Sequence, residues 1–353
     1  MWIYVLKRLA MMVPTLLGVL TLAFLVTQFV PGGPIEHALG QMEGASARSG
    51  VDGGPAEGGW SYSGRKGIDA DQVAALTELY GFDQPPLERF ATMIGNFLRF
   101  DLGDSYFHNQ SVISLIGEKL RVSAALGVWT FLLTYLVAIP LGVAKAVRHG
   151  SRFDVATTVL VLFGYAVPSF VLGVLLIVLF GGGSFWDIFP LGGLTSENWD
   201  ELPFAAQVGD YLWHITLPVT SAVFGNFAIK ALLTKNSFVD ELSRQYVLTA
   251  RAKGLSERRI LWKHVFRNAL LPIVTAFPMT FISAFFTGSL LIEQLFSLDG
   301  LGLLAYESIV SRDFPVVLGA LYMFTLVGLA IKLFADIAYV FVDPRIKFDA
   351  QES

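Results

Sequence analysis

The chain has 353 residues, of which 54% are hydrophobic and 15% charged, with a mean hydropathy of +0.59 and a formal net charge of −4. A soluble domain carries about a quarter charged residues, so this composition indicates a membrane protein. The negative balance argues against a nucleic-acid partner. The absence of cysteine excludes disulfides, thiolate metal sites and a cysteine nucleophile, and the five histidines form no metal-binding spacing.

A bilayer core of ~30 Å takes roughly 20 apolar residues of helix. Six segments qualify: about 9–30, 124–144, 155–180, 212–233, 271–292 and 316–342. The first, Leu9 to Val30, has no charged residue and follows Lys7 and Arg8. It exceeds the ~7–15-residue apolar core of a signal peptide, and the nearest small-x-small site, Ala45-Ser46-Ala47, lies well past its end. Residues 1–30 are therefore expected to be a retained anchor.

Segment 31–123 is too long for a simple loop. Residues 40–67 are rich in Gly, Ser and Ala, with little to bury, and read as an exposed insertion. Asp69 can N-cap a helix over 71–82, where Val73, Leu76 and Leu79/Tyr80 share a face and Gly81 is a stop. After the Pro85-Pro86 turn, Leu87, Phe90, Met93/Ile94, Phe97 and Leu98 mark a second amphipathic helix over 87–100, closed by Asp101-Leu102-Gly103-Asp104-Ser105. Residues 69–105 are expected to form a helical cap, either a docking surface or gate for a soluble donor or a packed ornament.

In the later spans, Pro140, Pro168, Pro218, Pro272 and Pro278 lie in or at the ends of helices. Each frees a carbonyl that a neighbour or water must satisfy, which favours a bundle with an internal path, although plain kinking explains any one of them. Lys230 and Lys332 sit near the inner ends of their spans, where an ammonium can reach the interface, and Asp336 lies one turn from Lys332.

The densest positive charge falls in loop 234–270, with Lys235, Arg244, Arg251, Lys253, Arg258, Arg259, Lys263 and Arg267. A helix over 240–253 is predicted to stop at Gly254, the residue type suited to a left-handed C-terminal position. Ser256 can N-cap a second helix with Glu257 in its first turn. On that helix Arg259, Lys263 and Arg267 recur every four residues, while Ile260/Leu261, Val265 and Ala269 line another side. The pattern suits a docking element for a partner protein, or a basic helix lying on anionic lipid.

Lys and Arg favour the cytoplasmic side. With the N-terminus inside, Lys7, Arg8, Lys145, Arg148, Arg152, the loop 234–270 charges, Arg345 and Lys347 all fall inside, and the outer segments are strongly acidic. The expected fold is an all-α polytopic membrane protein with six transmembrane helices, cytoplasmic N- and C-termini and a periplasmic helical cap between helices 1 and 2.

The run Thr249-Ala250-Arg251-Ala252-Lys253-Gly254-Leu255, with His264, Arg267-Asn268-Ala269-Leu270 and Pro272, resembles the EAA loop of ABC importer permeases in its dipeptide/oligopeptide form. Leu248 and Thr249 stand where the general loop has Glu and Ala, and Pro272 follows Gly254 by eighteen residues instead of thirteen. Further similar motifs are Lys7-Arg8-Leu9, Val13-Pro14-Thr15-Leu16, Pro31-Gly32-Gly33-Pro34, Tyr80-Gly81-Phe82-Asp83-Gln84-Pro85, Asp101 to Ser105, Pro140-Leu141-Gly142 and Val342-Asp343-Pro344-Arg345. The Gly-rich insertion, residues 288–307 and 311–315 are most similar to the Yej branch, associated with peptides and microcin C.

The resemblance implies a permease core over 124–353 in the bacterial inner membrane. A homologous second permease would share the pathway, two cytoplasmic ATPase domains would bind ATP and magnesium, and a periplasmic binding protein would deliver a short peptide. Thr249, Ala250, Arg251, Lys253, Gly254, Leu255 and Arg267 would couple the chain to the ATPase. No GxxxxGK[ST] motif occurs, so no P-loop of this chain can hold ATP. Candidate pathway residues are Phe163, Tyr165, Asn226, Phe281 and Ser283, each equally explained by core packing. The alternative is an ion-coupled secondary transporter, which needs ion-binding groups near mid-membrane. Only Asp336 lies clearly inside a span, which counts against it. A membrane enzyme would want a polar cluster that His149, His214 and His264 do not form in sequence.

Overall fold

The structure is a computed structural model that describes residues 2–29, 84–181, 185–274, 277, 280, 281 and 289–342. The expected insertion 40–67, the helix over 71–82, Pro278, Ser283 and the motif beyond Val342 lie outside the described residues, as does much of the span expected over 271–292. The described residues are predominantly helical and contain no strand, only an isolated bridge between Asp104 and Ser111. Four of their helices are long and apolar enough to cross a membrane, and a bent pair counts as a fifth.

The chain divides into two compact units, residues 1–117 with 305–327 and residues 118–304 with 328–353. In the first, α1 (Trp2–Phe29) and α2 (Pro86–Phe97) meet through Phe24 and Phe90, whose ring centroids are 5.2 Å apart. Arg89 Nη2 donates to Gln28 Oε1 at 2.5 Å. The apolar stripe predicted on α2 is narrower than expected. Phe90, Met93, Ile94 and Phe97 turn inward, whereas Leu87 and Leu98, at the helix ends, are 79% and 73% exposed. Beyond α2, Asp101 to Ser105 turns back to the start of α3 (Val112–Val147), with Val112 N donating to Gly103 O at 2.9 Å. Ser105 Oγ and Tyr106 N donate to the fully buried Asp313 at 2.5 and 3.1 Å, which ties this turn to the start of α11 (Phe314–Val342).

In the second unit, α3 is followed by α4 (Arg152–Ala166) and α5 (Ser169–Phe180), then α6 (Phe204–Leu242), which packs against both. The single span expected over 155–180 is thus two helices, bent by 92°. Proline restricts the residue before it to extended geometry, and Val167 (φ −86°, ψ 119°) and Pro168 form the break. Apolar periodicity is the same on both sides of the break, so hydropathy does not reveal it.

Pro140 and Pro218 lie within continuous helices. At 1.5 Å per residue, α3 and α6 are about 54 and 58 Å long and exceed a ~30 Å hydrocarbon core. The remaining elements are α7 (Gln245–Ala252), the composite α8 described below, α9 (Leu290–Leu295) and α10 (Leu301–Ser311). One apolar cluster joins Leu126 of α3, Ile215, Leu217 and Val219 of α6, and Ile292 and Phe296 at α9.

Candidate functional site

The loop between α6 and residue 271 folds as a closed helical hairpin. The helix expected over 240–253 is interrupted: α6 ends at Leu242, Ser243 Oγ bonds Asp240 O at 2.7 Å, and α7 begins after Arg244, which is extended (φ −70°, ψ 148°). The C-terminus of α7 follows the sequence closely. Gly254 N donates to Arg251 O at 2.9 Å, Leu255 N donates to Ala250 O at 3.2 Å, and Gly254 has φ +76°. These paired bonds are a Schellman motif, which requires a left-handed residue at the glycine position. No heavy atom lies within 4 Å of a Cβ built on Gly254, so its requirement is conformational alone.

The second arm, α8, consists of α-helical Glu257–Arg259, a π-helical turn Ile260–Val265 and α-helical Phe266–Ala269. Ser256 stands at the N-cap position, but its side chain makes no capping bond. The π turn accounts for the spacing of the apolar residues. Ile260, Val265 and Ala269 are all buried although five and four residues apart, and the wider turn keeps Lys263 outside. Together with Val247 and Ala250 of α7, Val143 and Ala146 of α3 and Phe238 of α6, they form one apolar cluster.

Of the coupling residues predicted from sequence, Ala250 is therefore an internal packing residue and Leu255 packs against the same cluster. Thr249, Arg251, Lys253, Gly254 and Arg267 are exposed. Arg251 is clasped within the hairpin, its Nε and Nη2 donating to Glu257 Oε1 and Oε2 at 2.7 and 3.0 Å. These bonds hold the Glu257 carboxyl below the usual carboxylate range and lift the Arg251 guanidinium above its own. Burial pushes the Tyr246 phenol up, and its hydroxyl donates to Glu241 Oε2 at 2.7 Å. Sequence reading did not single out Arg258 and Trp262, which with Arg259 and Lys263 make a basic and aromatic outer face.

A second charged arrangement lies inside the protein. Lys145, one of the charges expected on the inner side, is fully buried. Its Nζ donates to Asp154 O, Thr157 Oγ1 and Thr158 Oγ1 at 3.0, 2.9 and 2.6 Å and lies 3.3 Å from Asp154 Oδ1. Lys235 of α6 reaches the same oxygen at 2.8 Å, and Gly150 N donates to Asp154 Oδ2 at 3.1 Å. Asp154 thus joins α3, α4 and α6.

The third feature is a partly open cavity of about 320 Å³ between α3 and α6, lined also by Ser169, Thr280, Ser289 and Glu293. Of the pathway residues predicted from sequence, Asn226 lines it, and Phe281 stands beside it with its ring 5.4 Å from that of lining Phe131. Phe163 and Tyr165 are exposed on α4 and do not line it, and Ser283 lies outside the described residues. Lys230 and Glu293 also line the cavity. Glu293, one residue past the span expected over 271–292, is fully buried. Its carboxylate accepts from Ser123 Oγ at 2.9 Å, Leu303 N at 2.8 Å and Ser289 N at 3.3 Å, and so caps the start of α10. A Cβ on Gly300 would fall 2.5 Å from that carboxylate, so only glycine fits there.

The profile of the binding-protein-dependent transport system inner membrane component family matches residues 138–348. The chain is 53% identical to the peptidoglycan transport system permease protein YejB of Agrobacterium fabrum and 51% identical to the inner membrane ABC transporter permease protein YejB of Escherichia coli O157:H7, in each case over 99% of both chains. It is 31% identical to the oligopeptide transport system permease protein AppB of Bacillus subtilis, over 98% of this chain and 99% of that one. With its apolar helices, its closed helical hairpin and this similarity along its length, the chain belongs to the family of inner membrane components of binding-protein-dependent ABC transport systems.

Proposed function

We propose that this chain is the YejB-type permease subunit of an ATP-driven importer for short peptides and peptide-like compounds, microcin C among them. The similarity to transport permeases along nearly the whole chain carries this reading. A homologous permease completes the pathway, a periplasmic binding protein delivers the peptide, and two cytoplasmic ATPase domains bind ATP and magnesium. Six helices cross the membrane, the segment 271–292 among them, with both termini inside. The cap of 69–105 receives the binding protein.

The hairpin α7–α8 is the grip for the motor. A lipid-lying helix would offer its apolar stripe to the membrane, but here Ile260, Val265 and Ala269 are buried within the protein. Among the residues left outside, Arg258, Arg259, Trp262 and Lys263 form one face, a composition typical of protein interfaces in its Arg and Trp. Closure of the ATPase pair displaces the hairpin, the shared apolar cluster passes the displacement to α3 and α6, and the pathway opens outward. Hydrolysis resets it. Ion coupling would need a carboxylate able to take up and release a cation, whereas Glu293 is committed to Ser123, Ser289 and Leu303.

The complete importer in proteoliposomes tests this reading. Labelled tripeptide should accumulate only with ATP and the binding protein. The double substitution Arg258→Glu with Trp262→Ala should lower uptake roughly tenfold or more while the chain still inserts. ATP-independent uptake, or full uptake by the double variant, would refute it.

A further inference from the structure

We propose that Lys230 is the centre of a carboxylate-binding site within the membrane, and that the group it takes from the passing peptide is the C-terminal carboxylate. The inference rests on the peptide-import reading and adds a point of substrate contact to it.

Two charged groups, Lys230 and Glu293, line the cavity between α3 and α6, and the protein treats them differently. The Glu293 carboxylate is surrounded by donors of the chain itself, namely Ser123 Oγ, Leu303 N and Ser289 N. The Lys230 ammonium has neutral neighbours. It donates to Thr280 Oγ1 at 2.9 Å and lies 6.0 Å from the centroid of the Tyr135 ring. Among the described residues, no ion pair is formed by Lys230, whereas the other deeply placed lysines of this unit, Lys145 and Lys235, share Asp154. An ammonium facing a cavity with no anion paired to it among the described residues is suited to a transient anion: it attracts a carboxylate, and no internal carboxylate there has to be displaced.

Two further groups supply the rest of a peptide terminus. Thr134 is 3% exposed, and its Oγ1 has no hydrogen-bond partner among the described residues although it lines the same cavity. A buried hydroxyl left in that state is costly and is relieved by a ligand oxygen or N–H. Asn226 uses its Nδ2 on Ala222 O at 2.9 Å, one turn back on α6, which leaves Oδ1 as an acceptor for a peptide N–H. At about 320 Å³ the cavity accommodates the end of a peptide and not an extended oligopeptide. Terminal recognition of this kind is independent of side chains, as a permease serving many peptides requires.

The test compares uptake of three labelled tripeptides by the complete importer at saturating binding protein. They are a free acid with neutral side chains, its C-terminal amide, and an amide with a central glutamate. Lys230→Met should lower free-acid uptake roughly tenfold relative to wild type, with a smaller effect on the neutral amide, and Lys230→Arg should restore it. A loss extending to the glutamate amide would support a carboxylate site that accepts side-chain carboxylates too. Equal loss for acid and neutral amide, or none for the acid, would overturn the site. If Lys230→Met fails to assemble with its partners in size exclusion, Thr134→Val decides: lowered uptake of the free acid relative to the amide supports the site, and unchanged uptake overturns it. Wild-type importer that moves none of the three would overturn the peptide reading itself, and the site with it. Wild-type uptake without discrimination by the variants overturns the site alone.

Discussion

The hairpin and the Asp154 cluster both hold ion pairs, and they hold them in opposite ways. In the hairpin the ions are outside and the apolar residues inside: Arg251 and Glu257 meet in solvent, above a cluster that contains Ala250 and Ile260. Around Asp154 the ions are the interior: Lys145 is fully buried, and Lys235 and Asp154 nearly so. In the first case packing holds the fold and the ion pair trims it. In the second the ions themselves fill the space between three helices, so removing one leaves the others stranded in low dielectric.

This contrast is sharpest for Asp154→Ala. It strips two lysines of their shared carboxylate and should cost about 3–5 kcal/mol, read as a large fall in the thermal midpoint of the purified complex. Replacing Asp154, Lys145 and Lys235 together by apolar residues of similar size should recover most of that loss. An unchanged midpoint for Asp154→Ala would erase the distinction between the two regions.

Gly254 gives an intermediate effect, through backbone and not charge. Alanine at φ +76° should cost roughly 1–2 kcal/mol, since the surrounding space is open and only the left-handed conformation resists. Proline should cost more, because it fixes φ near −65° and removes the N–H bonded to Arg251 O. Thermal midpoints of the two variants in the assembled importer check the order, and a proline variant as stable as the alanine one would reject it.

The smallest effect belongs to Glu257→Gln. The clasp depresses the Glu257 carboxyl, so its contribution is present above the ordinary carboxylate range and fades as pH falls through the depressed value. Exposure to solvent and salt makes that contribution slight. Midpoints of wild type and variant should differ only slightly at neutral pH and converge in acid. A fall comparable to that of Asp154→Ala would mean that exposed and buried pairs here follow one rule.

The same contrast explains what the sequence disclosed. The hairpin was legible because its signals are local: Gly254 ends a helix, Glu257 opens the next, and charge separates from apolar residues within a few positions. The π turn was not, because no local signal marks the extra residue, and only the burial of Ile260 and Val265 together reveals it. Lys145 and Glu293 were misplaced for a related reason. Each is charged and near the end of an apolar run, which reads as an exit from the membrane. The partners of Lys145, Asp154 with Thr157 and Thr158, sit on the next helix, where only the fold turns them towards it, and those of Glu293 are Ser123, far back in the sequence, and backbone N–H groups at Ser289 and the start of α10. Lys230 was read as reaching for the interface, and its polar surroundings come from Tyr135 and Thr280, almost a hundred residues away on one side and fifty on the other. Pro168 dictates an extended Val167, but the size of the bend, 92°, is set by how the two helices pack and not by any local pattern.

The uninterrupted length of α6 has a mechanical consequence. Phe238, embedded under the hairpin, and Lys230, at the cavity wall, belong to the same helix and are separated along its axis by about 12 Å. A pushrod this short and this regular does not store much bend between its two contacts. Force applied at one station arrives at the other as rotation or slide, within two turns of hydrogen-bonded backbone.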